Sequence, residues 1–261
     1  MKALSIAATG MLAQQMNVEV ISNNIANMNT TGYKRQRVEF QDLLYQNIKR
    51  VGASSSDTGT VVPSGIQIGV GVKTGSVYRI TEQGSLTNTG NMYDMALNGQ
   101  GYFRIQLPDG NDAYTRAGSF QLSPTGQIVN QDGYVVQPGI SVPPEAVDVT
   151  VNAQGEVLVK IAGQIEPQNV GRIEITSFPN PAGLEAIGDN MLVETPSSGQ
   201  PTVGTPGNPG FGTIMQGFLE TSNVNAVSEI TSLITAQRAY EMNSKVISAA
   251  DEMLSVTSQL R

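Results

Sequence analysis

The side chains that most often carry out chemistry in proteins are either absent from this 261-residue chain or scattered along it. It contains no cysteine and no histidine, which removes thiolate nucleophiles, the usual structural zinc ligands and the commonest general base. A pair of carboxylates could still hydrolyse a glycosidic bond, and the candidates are Glu82, Asp94, Asp109 and Asp112. Any acidic protein offers such pairs by chance. An enzyme is therefore the less expected class, and a cell-wall hydrolase is the form of it that stays open.

The segment "DGND" at 109–112 is the nearest approach to a metal-binding motif. It lacks the alternating ligands and the distal glutamate of a calcium loop, and it is interpreted as a hairpin turn. The segment "GVGVKTG" at 69–75 has the wrong glycine spacing for a dinucleotide loop. The sequence predicts no catalytic residue, no metal and no cofactor.

The distribution of charge argues against two kinds of partner. The formal net charge is −7, so neither nucleic acid nor an anionic membrane surface is expected to bind. The basic cluster Lys34, Arg35 and Arg37 is followed closely by Glu39 and Asp42, and it is interpreted as a solvated face. No stretch approaches the roughly 18 apolar residues of a membrane span, so no membrane insertion is predicted.

The N-terminal residues repeat with the period of packed helices. Positions seven apart are occupied by Leu4, Met11, Val18 and Ile25. This spacing predicts one helix over residues 3–28 that packs along a single seam. A cleaved secretion signal ending near Ala13 is less favoured, because the repeat runs through the cleavage site and polar residues interrupt the apolar stretch.

The C-terminal residues carry two such series. They are Leu233, Tyr240, Ile247 and Leu254, flanked by Val246, Met253 and Leu260. Neither glycine nor proline occurs after residue 220. A helix over residues 225–258 is predicted, with Asn223 or Asn225 as its N-cap.

Asparagines are unusually frequent near the end of the first helix. Asn23, Asn24 and Asn27 lie among its apolar residues, although asparagine competes with the helix for backbone hydrogen bonds. A buried amide can fix the register of packed helices, so these residues are predicted to set register in a wall of many helices. The segment "NTTGY" at 29–33 is then predicted to stop the helix, with Gly32 as the left-handed residue just beyond its end. The alternative for the asparagines is that they only fray and cap the helix end.

The middle of the chain has the pattern of short antiparallel strands. In "YFRIQL" at 102–107, Phe103, Ile105 and Leu107 fall on one face, and Tyr102, Arg104 and Gln106 fall on the other. Strand-length segments rich in Val and Ile alternate with turn signals at short intervals. Two glycine-, serine- and threonine-rich stretches, 51–65 and 195–212, are interpreted as flexible linkers or surface loops.

These elements predict an α+β fold, in which paired long terminal helices of one discontinuous helical domain flank a central antiparallel all-β domain. The expected boundaries are 1–30 for the first helix, 31–70 for a linker or extended segment, 71–220 for the β domain and 221–261 for the last helix.

Four blocks of sequence resemble the flagellar rod and hook family. They are "SNNIANMNTTGYKR" (22–35), "LNGQGYFRI" (97–105), "AYTRAGSFQLSPTGQIV" (113–129) and "LETSNVNAVSEITSLITAQRAYEMNSKVISAADEML" (219–254). They occur in order along essentially the whole chain. The length and the stretch from Tyr45 to Val72 resemble subunits of the distal part of the rod, with a proximal rod or another axial subunit as the alternative.

The resemblance implies a structural subunit without catalysis, located in the basal body between the periplasm and the outer membrane. Such subunits leave through the flagellar type III export apparatus and polymerise with copies of themselves into a hollow helical tube. That tube joins neighbouring rod and hook proteins, passes through the peptidoglycan and outer-membrane rings and transmits torque. By likeness, the terminal helices form the inner tube, and the β domain an outer layer. The segment matching residues 46–65 is associated with a stiff rod, which opposes a flexible linker there.

A monomeric extracellular binding module is the third class of protein, after a structural subunit and an enzyme. In such a monomer the seven-residue apolar repeats of the two terminal helices would have no partner helices to pack against. The sequence therefore favours assembly through both termini, with the seam residues and the three asparagines as the predicted interface.

Overall fold

The computed structural model describes residues 2–49, 65–164 and 166–259, which fall into two compact units. The first unit comprises residues 1–25, 36–78 and 225–261, and the second comprises residues 26–35 and 79–224. Helices α1 (Lys2–Ala26) and α2 (Ala226–Gln259) lie almost wholly in the first unit. Helices near both ends of the chain thus flank a central antiparallel β region, which agrees with the α+β prediction.

Helix α1 ends two residues before the predicted position 28. The chain turns there, and the Asn27 carbonyl accepts a hydrogen bond from the Thr30 amide at 3.1 Å. Gly32 has the predicted left-handed backbone, with φ of +70°. Its N–H donates to the carbonyl of Glu220 at 2.8 Å and not to a carbonyl of the helix. The predicted left-handed conformation of Gly32 is confirmed, but the glycine lies six residues beyond the end of α1 and joins two distant segments instead of capping the helix.

Helix α2 begins at one of the two predicted caps. The Asn225 Oδ1 accepts a hydrogen bond from the Ser228 amide at 3.1 Å, which satisfies a donor of the first turn. Asn223 is not the cap, and its Oδ1 accepts from the Arg35 amide at 2.7 Å. The helix contains 34 residues and is about 51 Å long.

The described part of the first unit also contains four strands. Strand β1 (Gln36–Asp42) is a neighbour of β4 (Val72–Arg79), and β2 (Tyr45–Lys49) pairs antiparallel with β3 (Ile66–Gly69). Three of these strands lie in the segment 31–70 that the sequence suggests is extended. The predicted linker at 51–65 lies outside the described residues except for residue 65.

The second unit consists mainly of short strands. Its strands are β5 (Leu86–Asn88), β6 (Met95–Asn98), β7 (Tyr102–Gln106), β8 (Asp112–Thr115), β9 (Gln121–Leu122), β10 (Ile128–Val129), β11 (Ala146–Val151), β12 (Glu156–Ile161), β13 (Gln168–Arg172), β14 (Ile175–Ser177), β15 (Glu185–Gly188), β16 (Met191–Val193), β17 (Thr202–Gly204), β18 (Thr213–Gln216) and β19 (Phe218–Glu220). Six of them form one sheet in the order β15-β16-β8-β7-β14-β17, and β11-β12-β13 form a second.

The hairpin of β7 and β8 confirms the interpretation of "DGND" as a turn. Gln106 is paired with Asp112, and Gly110 between them has φ of +82°. On β7, Phe103 and Ile105 are buried in the main core, as predicted. Tyr102 is buried as well, because Tyr114 and Phe178 pack on the other face of the sheet. The two faces of β7 thus carry different clusters, in line with the predicted alternation.

The stretch 195–212 is an ordered part of the second unit and not a flexible linker. Its strand β17 pairs with β14, so that Thr202 lies opposite Ser177. Ser198 is fully buried, and its hydroxyl donates to the Thr195 carbonyl at 2.8 Å. Composition alone misleads here, because serine, glycine and proline also build tight, hydrogen-bonded turns.

Candidate assembly surface and buried ion cluster

The two helices of the first unit run antiparallel and approach closely. A β-carbon added at Gly10 of α1 would lie 2.9 Å from Asn243 Nδ2 of α2. Asn24 of α1 donates from Nδ2 to Oε2 of Glu229 at 3.1 Å. Residues 10 and 24 are 14 positions apart along α1, and their partners, residues 243 and 229, are 14 positions apart in the opposite direction along α2. The helices therefore keep one register over about 21 Å.

Asn24 joins three separate segments of the first unit. Its side-chain amide pairs with the backbone of Gln36: the Gln36 N–H donates to Oδ1 at 2.8 Å, and Nδ2 donates to the Gln36 carbonyl at 2.9 Å. The Nδ2 group also donates to Glu229. Asn24 and Glu229 are 1% and 4% exposed, so losing one of these bonds costs about 1–3 kcal/mol. We name Asn24, Gln36 and Glu229 the amide clip.

The other two predicted asparagines are placed differently. Asn23 is exposed on α1, whereas Asn27 is half-buried and accepts a hydrogen bond from Thr30 Oγ1 at 3.1 Å. The structure thus gives Asn24 bonds within its own chain, which the sequence analysis did not foresee. Its bonding partner Glu229 is 205 positions away in the sequence, and no local pattern indicates it.

The predicted seam residues are only partly covered within the first unit. Half-buried positions are Leu4, Met11, Val18, Ile25, Leu233 and Ile247. Exposed positions are Tyr240, Val246, Met253 and Leu254, with Met253 64% exposed. Leu260 lies outside the described residues. The helices therefore present apolar side chains that their own unit leaves in contact with water.

A second group of exposed apolar residues was missed by the sequence analysis. On α2 it consists of Val227, Ile230, Ile234, Met242 and Val256, and on α1 of Leu12 and Met16. The spacing of Val227, Ile230 and Ile234 is a helical stripe in its own right, which could have been found by searching for more than one seam. A helix with apolar residues on several faces is expected where it is surrounded by other chains.

The second unit contains a buried cluster of three charged side chains. Glu220 is 1% exposed and accepts hydrogen bonds from Lys34 Nζ at 2.5 Å, Arg116 Nε at 2.9 Å and the Gly84 amide at 2.9 Å. Arg116 Nη1 also donates to the carbonyls of Gly99 and Gly101, each at 2.8 Å. Charges taken out of water are tolerated only when paired and hydrogen-bonded in this way.

The electrostatics of the cluster favour the ionised form of Glu220. Burial raises the pKa of its carboxyl, but Arg116, Lys34 and the Gly84 amide together outweigh burial and hold the pKa below its ordinary value. Burial lowers the pKa of the Lys34 ammonium, and the pairing with Glu220 offsets only part of that effect. The prediction that Lys34 belongs to a solvated face is wrong, because its side chain is buried against Glu220, which lies 186 positions away in the sequence.

The ion cluster draws together the four sequence blocks that carry the family resemblance. Lys34 lies in the first block, Gly99 and Gly101 in the second, Arg116 in the third and Glu220 in the fourth. Lys34 follows α1 in the chain and Glu220 precedes α2. The cluster thus holds side by side the two chain segments that connect to the terminal helices.

Two of the four carboxylates considered for hydrolysis, Asp94 and Asp112, have structural partners. Asp94 accepts from Thr89 Oγ1 at 2.6 Å and from Asn91 Nδ2 at 3.0 Å. Asp112 lies 3.5 Å from an Arg104 guanidinium nitrogen. Over the described residues, no group of three or more acidic side chains is arranged to hold a metal ion. No helix in the same part of the chain is long and apolar enough to cross a membrane.

Three protein families match successive parts of this chain. Residues 4–34 match the flagella basal body rod protein family, 96–159 the flagellar hook protein FlgE/F/G D1 domain, and 215–260 the flagellar basal body rod FlgEFG protein C-terminal family. A solved structure, the Helicobacter pylori flagellar hook protein FlgE2, aligns with 72% of this chain and 43% of that one. Its TM-score is 0.25 and its identity 16%, too low to support an argument about fold.

Curated relatives match over the full length. The flagellar basal-body rod protein FlgG of Caulobacter vibrioides is 62% identical over 261 residues, covering 100% of both chains. The protein of the same name from Agrobacterium fabrum is 52% identical, covering 99% of each chain, and that of Bacillus subtilis is 38% identical, covering 97% of each. Similarity of this extent shows that the chain belongs to the family of the flagellar basal-body rod protein FlgG, whose members are structural and non-enzymatic subunits of the basal body.

Proposed function

We propose that this chain is the repeating subunit of the distal part of the flagellar rod, a hollow helical polymer that transmits torque from the motor to the hook. The observation that carries the proposal is the uncovered apolar surface of the terminal helices. Leu12, Val227 and Met253 are 66%, 76% and 64% exposed. Large apolar side chains that stay exposed on both helices of one subunit mark a surface for contact with another chain.

In the assembled rod, the terminal helices of each copy pack against those of neighbouring copies. The contact residues are the seam positions of both helices, together with Asn23 and Asn27. The amide clip fixes the register of the two helices within each copy before that copy contacts another. Neighbouring rod and hook proteins continue the polymer at its two ends, and the peptidoglycan and outer-membrane rings surround it.

A single substitution tests the role of the helices in assembly. Met253→Asp puts a carboxylate on a seam where neighbouring helices exclude water, at a cost on the order of several kcal/mol for every contact. Because Met253 is largely exposed in the single subunit, the melting temperature of that subunit should barely change. Rods counted by electron microscopy of isolated basal bodies, and swimming in soft agar, should both be lost.

The matched control is Gln131→Glu, which adds the same charge at an exposed position of the second unit. We expect normal rods and normal swimming from it. If Met253→Asp cells build rods as efficiently as the control, the C-terminal seam is not an interface and the proposed assembly is wrong.

Export through the type III apparatus has a separate test. In this route the mature subunit keeps α1, whereas a cleaved secretion signal would remove the segment that includes Gly10. Mass spectrometry of subunits from isolated rods should find the sequence intact from Met1 or Lys2. A mature form that begins near Gln14 would exclude this route.

A further inference from the structure

A groove lies between the two helices of the first unit, at the level of residues 15–19 of α1 and 237–241 of α2. Its volume is about 370 Å³, and it is lined by Gln15, Val18, Glu19, Gln237, Tyr240 and Glu241. Val18 and the ring of Tyr240, which is 45% exposed, supply apolar contact. Two carboxylates, from Glu19 and Glu241, give the same groove a negative charge.

The two carboxylates of this groove form no ion pair in the described part of the chain. Glu19 accepts a hydrogen bond from Gln15 Nε2 at 3.1 Å. An apolar groove edged by carboxylates suits a side chain with an apolar stem and a cationic head. An arginine suits it best, since its guanidinium binds carboxylates through paired donors and stacks on an aromatic ring.

Helix α2 carries such a side chain at the same level. Arg238 is exposed and forms no ion pair within the residues that the structure describes. It follows Gln237 of the groove, and one residue corresponds to a rotation of about 100° around the helix. Arg238 therefore lies beside the groove, about 60° around the helix from the groove residue Glu241, and its exposed side chain can reach an adjacent molecule.

We propose that the groove of each copy binds the Arg238 side chain of a second copy of this chain. The proposal rests on the polymerisation proposed above and adds the identity of one contact and its direction. The arginine of one copy and the groove of the next are different parts of the surface, so the contact can repeat head-to-tail from copy to copy. Repeated head-to-tail contacts that do not close into a ring produce an open helical filament.

Charge reversal with complementation tests this contact. Two variants are made, Arg238→Glu and the groove variant Glu19→Lys/Glu241→Lys, and each is the only copy of the protein in its cells. Each variant should form at least about tenfold fewer rods than wild type, since both put like charges together at every contact. Expressed together, the two variants should restore rods, because an alternating polymer pairs each reversed Arg238 with a reversed groove.

The control is Lys245→Glu, which reverses a charge seven residues along the same exposed region of α2. It should leave the number of rods within about twofold of wild type. The melting temperature of each purified variant should lie within about 2 °C of the wild-type value, which would confirm that the subunit is folded. For a chain of this size, a change of about 1 kcal/mol in unfolding free energy shifts the melting temperature by about 2–4 °C.

The contact is refuted if Arg238→Glu alone assembles normally, if co-expression restores no rods, or if Lys245→Glu is as damaging as Arg238→Glu. If Arg238 instead pairs with Glu241 of the same copy, only a chain that carries both reversed charges would form rods again, and co-expression of the two variants would not restore them. If the proposed function as a rod subunit is wrong, isolated wild-type basal bodies should contain none of this protein. This result distinguishes that failure from a failure of the Arg238 contact alone.

Discussion

Replacing Glu220 by glutamine should destabilise the second unit severely, although the two side chains have nearly the same shape. Glu220 is the shared counter-charge of two buried cations and accepts hydrogen bonds from Lys34, Arg116 and the Gly84 amide. In Glu220→Gln both cations stay buried without a counter-charge. The new side-chain NH2 group is a hydrogen-bond donor that faces the donors of Lys34, Arg116 and Gly84. Removing one partner of a buried charge group costs about 3–5 kcal/mol. For a unit of this size, that corresponds to a fall in melting temperature of about 6–20 °C.

The matched control is Glu174→Gln, which breaks a surface pair. Glu174 lies 3.4 Å from an Arg104 nitrogen, and its side chain is 42% exposed. Exposed pairs of this kind contribute about 0–1 kcal/mol. Differential scanning calorimetry at pH 7 should therefore separate the two variants clearly. Equal melting temperatures would refute the view that the buried cluster stabilises this unit.

The same variant has a characteristic pH dependence. The pKa of Glu220 is lower in the folded protein than its ordinary value of 4.5, so the ionised carboxylate stabilises the fold above that pH. The stabilisation is lost as the pH falls through the folded-state pKa. The difference in unfolding free energy between wild type and Glu220→Gln should therefore be largest near neutral pH and shrink below about pH 4. A difference that grows on acidification would show that the carboxyl is protonated in the native state.

Two further substitutions test the connecting segments. Asn24→Asp should speed hydrogen exchange in α1, because it sets a carboxylate against Glu229 and leaves the Gln36 carbonyl without its donor; Ser22→Asp, exposed on the same helix, should leave exchange unchanged. Gly32→Ala should lower the urea midpoint much more than Gly90→Ala. Both glycines have φ of +70°, but a β-carbon at Gly32 would lie 2.7 Å from the Ala117 amide nitrogen, whereas Gly90 has nothing within 4 Å. Equal midpoints would show that backbone strain alone, and not the close contact, makes Gly32 necessary.

The sequence was most informative wherever structure depends on neighbours along the chain. The seven-residue repeats predict both terminal helices to within about two residues at each end. The cap at Asn225 and the hairpin at "DGND" follow from the conformational preferences of single residues. These features depend on rotamers, backbone angles and periodicity, which a local stretch of sequence already fixes.

Which polar residues are buried depends on the tertiary structure. Lys34 looks like a surface residue in sequence, yet Glu220 and Arg116 enclose it from positions far away in the chain. Asn24 likewise finds its partners only when β1 and α2 are in place. Burial of a polar group depends on whether a distant group completes its hydrogen bonds, and that is a property of the folded chain. The terminal repeats are the opposite case: the sequence alone indicated a surface for other helices, and the folded subunit leaves much of that surface exposed.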